Sequence, residues 1–276
     1  MSAVFGFLRR DLRATLALAW LALLVIVAVA APWLSPYSPT TQNVSNMLAE
    51  PSAAHWLGTD DLGRDILSRL IHGAPATIYA SFLAVGIAIL LGVPIGLVAG
   101  YFGGWIDDVI SRTIDTLLSF PAIVLAIAVT GALGIGLTNG MIAVGIVFAP
   151  QLARLARART LVVRHELYVD AARCFGASTS HILWRHVLPN TVQPVIVQVT
   201  LLLAAALLAE ASLSFLGLGV QPPNPSWGAM LARAYQAMDV APEQMYPPGL
   251  AILFTALAFN ALGESLRVAL DPTLKR

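Results

Sequence analysis

The sequence predicts an all-α membrane protein of six transmembrane helices, on three observations. Hydrophobic residues fill 58% of 276 positions and charged residues 11%, where a soluble domain carries about 25% charged residues. Apolar runs long enough to cross a bilayer, about 20 residues each, recur near 14–34, 76–100, 109–134, 137–160, 193–218 and 247–269. The basic residues are segregated. With the N-terminus inside, 13 of 16 fall on inner segments, and only Arg64, Arg69 and Arg233 fall outside. Both termini are then cytoplasmic.

The first run follows Arg9, Arg10 and Arg13 and ends Ala28-Val29-Ala30-Ala31. That ending resembles a cleavable signal, but the apolar stretch exceeds the 7–15 residues of a signal core, which favours a retained span. Residues 35–75 form an outer segment. Its end, HWLGTDDLGRDILSRLIHGA, places Ile66, Leu67, Leu70 and Ile71 on one face of a short helix lying at the interface. Asp60, Asp61 and Asp65 crowd its first turns, where the helix dipole favours negative charge. The segment reads as an interfacial brace, with a ligand site as the other possibility. Residues 1–75 therefore form a tail, first span and outer segment ahead of a transmembrane core at 76–276.

In the second span Gly92, Gly96 and Gly100 repeat every fourth residue, a stripe that lets membrane helices pack closely. The third run is interrupted by Pro121 and carries Arg112 and Asp115 early. The segment Gly134–Gly140 signals a tight hairpin to the fourth. Pro94, Pro121 and Pro150 each remove a backbone donor inside a span, so kinks are expected near them.

Between the fourth and fifth runs lies the one long polar interruption, YVDAARCFGASTSHILWRHVLPN, residues 168–190. Tyr168, Ala171, Ala172 and Phe175 fall at i, i+3, i+4 and i+7, one face of a helix. Gly176 suits the left-handed position that stops that helix. Ser178 can cap a second short helix, which Pro189 is expected to close. The product is a cytoplasmic two-helix hook whose alanines let another protein's backbone approach.

In the fifth run, Glu210 must face protein or water, because a charge at the bilayer centre costs about 2.5–3.5 kcal/mol on insertion scales. It reads either as a pathway-lining acid or as a carboxylate bonded to a neighbouring helix. Asn260 on the sixth run poses the same question, whereas Glu264 has Arg267 three residues on.

Enzyme signatures are absent. The only lysine is Lys275, which excludes a Gly-Lys-Ser/Thr phosphate loop, and the only cysteine is Cys174, which excludes an internal disulfide or a Cys-pair metal site. His165-Glu166 opens an H-E-x-x-H pattern, but position 169 is Val. No catalytic or metal residues are assigned.

The hook resembles the EAA loop of ABC-importer membrane subunits: E-A-A, three residues, Gly, nine residues, I-x-L-P. Here Asp170-Ala171-Ala172, Gly176 and His186-Val187-Leu188-Pro189 stand in those places, with Asp for Glu and His for Ile. Together with HWLGTDDLGRDILSRLIHGA, RHVLPN and FLGLGVQPPNPSWGAML, the chain over about residues 55–276 is similar to the C-type permease of dipeptide/oligopeptide ABC importers. The resemblance implies a type I importer fold in the bacterial inner membrane. It implies a homologous, non-identical permease partner, two cytoplasmic ABC ATPases that bind ATP and Mg, and an extracytoplasmic substrate-binding protein. This chain would hold no cofactor and bind no nucleic acid. Tyr168, Asp170, Ala171, Ala172, Gly176, His181, Leu188 and Pro189 would form the coupling element, Glu210 and Asn260 the pathway, and Gln221–Trp227 the outer mouth. Related permeases serve nickel, glutathione or haem systems. An ion-driven secondary transporter and a passive membrane anchor are the alternatives of other classes.

Overall fold

A computed structural model of the chain describes residues 11–270. Arg9, Arg10, Lys275 and Arg276, used above for orientation, lie outside the described residues. Helix α1 covers Leu12–Val29, followed by a single turn, α2, at Ala31–Leu34. A long helix α3 spans Ile66–Phe102, then come α4 (Gly104–Ser119), α5 (Ala122–Leu133) and α6 (Leu137–Val163). The hook contains α7 (Leu167–Cys174) and α8 (Thr179–Ile182), and leads into α9 (Leu188–Phe215). A short α10 (Trp227–Gln236) precedes the last helix, α11 (Tyr246–Leu270).

Five helices are long and apolar enough to cross a membrane, and the bent pair α4–α5 makes a sixth when counted as one span. That pair is the third run expected at 109–134, which begins earlier and is bent sharply at Pro121. The chain turns by 98° between α4 and α5. Pro121 donates no hydrogen bond and drives the residue before it out of helical geometry, so Phe120 is extended at φ −81°, ψ 141°. At 1.5 Å per residue, α5 is only about 18 Å long, short of a ~30 Å hydrocarbon core.

A correction concerns residues 66–75. The expected separate interfacial helix is the first part of α3, and Pro75 lies inside that helix without ending it. Asp65 starts it by accepting the Ser68 backbone N–H at 2.8 Å. A 37-residue helix is about 55 Å long, so its first turns stand clear of the apolar slab while the rest crosses it.

The core seam runs between α3 and α6. A Cβ at Gly92 would sit 2.5 Å from the Ala149 carbonyl oxygen, and one at Gly96 2.3 Å from that of Ala153. The glycine stripe therefore brings backbone against backbone, as membrane helices without a strong hydrophobic drive require. From the other side, Gly145 of α6 meets the carbonyl of Ala84 in the same way. Helix α9 packs across this seam, burying Leu202, Leu203 and Leu213 beside Met141 and Val144. Helix α11 lies against α9, and α1 against α11, where Trp20 Nε1 donates to Thr255 Oγ1 at 3.1 Å.

Candidate functional site

The hook is a rigid piece rather than a loose loop. Helix α7 ends on Gly176 at φ +78°. Ala177 N–H donates to the Ala172 carbonyl and Gly176 N–H to that of Arg173, so the last carbonyls of the helix are satisfied by a left-handed stop. No atom lies within 4 Å of a Cβ built at Gly176, so the glycine is required by its backbone angle and not by crowding. Ser178 then caps α8 by accepting the His181 N–H at 3.3 Å.

Pro189 does not close that second helix, contrary to expectation. The chain passes through a π turn at Leu183–Val187, and Leu188 N–H bonds five residues back to Leu183. An ordinary α-turn would press the Pro189 ring on the carbonyl four residues earlier. The wider turn relieves this, so hook and fifth span form one unbroken rod from Thr179 to Phe215.

Val169, Ile182 and Val187 are fully buried against Val163 at the end of α6, with Leu97 and Tyr101 of α3 packed on them. Arg173 lies over the Tyr101 ring at 5.5 Å and pairs with Asp170 at 3.0 Å. Arg164 donates to the Gly100 carbonyl at 2.9 Å, tying the two long helices together beneath the hook.

The opposite face is bare. Leu167 is 86% exposed, Phe175 91% and Trp184 69%, and Tyr168, Asp170 and Ala171 are exposed beside them. Ala172 is half-buried, turned toward the bundle with Val169. His181 and His186 stand with ring centroids 5.7 Å apart, and Tyr168 lies 6.2 Å from His186. Burial raises the Tyr168 phenol above its usual range, the Glu166 carboxylate adds to this, and Arg159 opposes it. Leu167, Phe175 and Trp184 thus leave an exposed apolar patch on an anchored support. Trp184 carried no periodic signal in the sequence, because its exposure depends on the π turn.

At the far end of the bundle, residues 35–65 fold over the start of α3. Arg64, 1% exposed, pairs with Asp60 at 2.7 Å, Arg69 reaches the same carboxylate at 3.4 Å, and Arg233 of α10 donates to Asp61 at 2.8 Å. Trp227 is buried, its indole N–H donating to the Leu70 carbonyl at 2.9 Å. Glu210 is 1% exposed; one carboxylate oxygen accepts from Ser214 at 2.8 Å and from Ser226 at 2.9 Å. Those two bonds tie it to its own helix and to the start of α10, while its other carboxylate oxygen has no hydrogen-bond partner among the described residues. Asn260 is exposed on α11. Among the described residues no three His, Cys, Asp or Glu side chains gather as a metal site.

Two clefts flank α9 in its hook half. One, about 590 Å³, is apolar and lined by residues such as Leu90, Pro94, Trp184 and Ile196. The other, about 740 Å³, lies between α6, α9 and α11 and holds Arg159, Gln193, Gln198, Glu264 and Arg267. The two glutamines were legible as polar breaks in an apolar run, but only the fold groups them with the arginines.

Comparison with known proteins gives concordant findings. Residues 92–276 match a family described as binding-protein-dependent transport system inner membrane component, and residues 4–51 match the N-terminal TM domain of oligopeptide transport permease C. The chain is 45% identical to a glutathione transport system permease protein, GsiD, of Pectobacterium atrosepticum, over 98% of this chain and 91% of that one. It is 43% identical to a dipeptide transport system permease protein, DppC, of Alkalihalophilus pseudofirmus, over 98% and 89%. Among solved structures, the inward-facing MetNI methionine ABC transporter contains a chain that superposes with TM-score 0.61 at 18% identity, covering 76% of this chain and 98% of that one.

Proposed function

This chain belongs to the family of binding-protein-dependent transport system inner membrane components, and from that premise we propose that it forms half of the membrane path of an ABC importer for small peptides. Cargo of the dipeptide or glutathione kind is favoured over nickel or haem, because relatives bearing those names match nearly the whole length. A homologous, non-identical permease supplies the other half. Two ATPase subunits carry ATP and Mg, since this chain has no phosphate-binding loop. A binding protein delivers cargo at the far end.

The observation that carries this reading is the continuity of hook and span. Exposed Phe175 and Trp184 offer the grip, Val169, Ile182 and Val187 fix the hook to α3 and α6, and Thr179–Phe215 runs as one rod. Displacement at Tyr168, Asp170, Ala171, Ala172, Gly176 and His181 would pass through Leu188 and Pro189 into the span. A transporter works only if a partner binds its two states with different strength, and a stiff lever supplies that difference. The basic segregation supports a cytoplasmic hook and an inner-membrane location with both termini inside.

Co-purification tests this. The tagged chain, co-expressed with its cognate permease and ATPase subunits, should retain both ATPases, and Phe175→Ala with Trp184→Ala should release them while the two permeases stay paired. Retention by the double variant would overturn the docking face.

A further inference from the structure

The polar cleft between α6, α9 and α11 has no role in the coupling just described. All of its polar residues lie in the half of the bundle nearest the hook: Arg159 one turn before the end of α6, Gln193 and Gln198 early in α9, Glu264 and Arg267 late in α11. Gln198 stands ten residues into α9, about 15 Å along its axis. An amide at that depth facing hydrocarbon would lose its hydrogen bonds at a cost of several kcal/mol. Apart from Thr200, the side chains lining the other flank of α9 are apolar. The polar flank therefore faces water or the partner permease.

Gly263 sets the shape of the cleft. A Cβ there would lie 2.3 Å from Thr200 Oγ1, so the glycine lets α11 close onto α9 and form the cleft floor. The charges above that floor are unevenly matched. Arg267 and Glu264 are 3.9 Å apart and both about two-thirds exposed, and Arg159 makes only a 3.5 Å contact to the Asn190 carbonyl. Two guanidinium groups face one carboxylate. Guanidinium forks bind carboxylates in paired hydrogen bonds, and a volume of about 740 Å³ lies within the usual range for small-molecule sites.

We propose that this cleft is a binding half-site on the translocation path for small peptides carrying more carboxylates than ammonium groups. Arg159 and Arg267 take the carboxylates, Glu264 the ammonium group, and Gln193 and Gln198 the peptide amides. This rests on the importer reading above and narrows its cargo.

The test uses the assembled complex in nanodiscs, with Gln198→Cys in a Cys174→Ser background that removes the chain's only cysteine. A membrane-impermeant maleimide should label position 198, and alanyl-glutamate at ten times its Kd should slow labelling about tenfold. Alanyl-lysine should not protect. Adding Arg267→Gln should leave labelling intact and abolish protection by the acidic peptide. Asn260→Cys, one turn from Glu264 on the same exposed face, serves if Gln198→Cys fails to assemble. No labelling, equal protection by both peptides, or protection by anionic phospholipid alone would each overturn the proposal. Retained ATPases in the same preparation show that the importer reading stands whichever result is found.

Discussion

Glu210 and Ser226, sixteen residues apart, meet in a 2.9 Å hydrogen bond that fastens the far end of α9 to the start of α10. Ser226 serves twice, because its oxygen also accepts the Ala229 backbone N–H at 3.1 Å and so caps α10. Its backbone neighbour Trp227 is plugged into α3. The acid in the fifth span thus works as a bracket that holds α9, α10 and α3 together.

Ser226→Ala removes both bonds and leaves a buried carboxylate with one fewer donor. The cap alone is worth about 1 kcal/mol, and the deprived carboxylate adds about 1–3 kcal/mol. Ser226→Thr keeps the oxygen and should recover most of the loss. Thermal unfolding of the purified complex in detergent, read as the order wild type, Thr, Ala, checks this; an Ala variant as stable as wild type would remove the bracket.

The seam between α3 and α6 allows a paired test. Gly86 and Gly96 share α3, but a Cβ at Gly86 meets nothing within 4 Å, whereas one at Gly96 would lie 2.3 Å from the Ala153 oxygen. Gly86→Ala should be neutral or slightly stabilising, by about 1 kcal/mol at most, since alanine is the better helix former. Gly96→Ala should force the helices apart and reduce the yield of monodisperse complex in size-exclusion chromatography. Equal yields from the two variants would mean that the backbones are not in contact there.

Acid should loosen the attachment of α1. Ser265 donates to the Asp11 carboxylate at 2.5 Å, and this bond holds the Asp11 acid below its ordinary value of 3.8. A lowered value in the folded chain gives stability that is present above the ordinary value and lost as the pH falls through the lowered one. Melting temperatures should therefore drop as the pH falls below about 4, more steeply for wild type than for Ser265→Ala. Parallel curves would leave the bond without effect.

Much of this architecture was legible in the chain. The apolar runs located the spans, the glycine stripe located the seam, and Gly176 with Ser178 located the break in the hook. Each is a local signal read directly from neighbours in sequence. The misreadings have a common cause, which is that proline acts according to what surrounds it. Pro121 breaks the third span as its place in the run suggested, whereas Pro75 lies inside α3 without ending it and Pro189 is taken up by a π turn. The polar cleft was hidden for a different reason: its five polar residues come from three helices separated by many residues, and only packing unites them.

Gly176 is the position where the coupling reading is most exposed to refutation. Its φ of +78° lies in a region that costs an L-residue roughly 1–2 kcal/mol, more for a β-branched one. The space around its Cβ is open, so a substitution acts through the backbone alone. Gly176→Asn, which tolerates left-handed geometry, should keep uptake and ATP hydrolysis coupled. Gly176→Val should straighten the stop, swing Phe175 off its position and either separate hydrolysis from uptake or block assembly, while Val169 and Ile182 still fix the hook to α3 and α6. The measurement is uptake per ATP hydrolysed in proteoliposomes. A Val variant that transports as efficiently as the Asn variant would show that the angle of the hook does not carry the stroke.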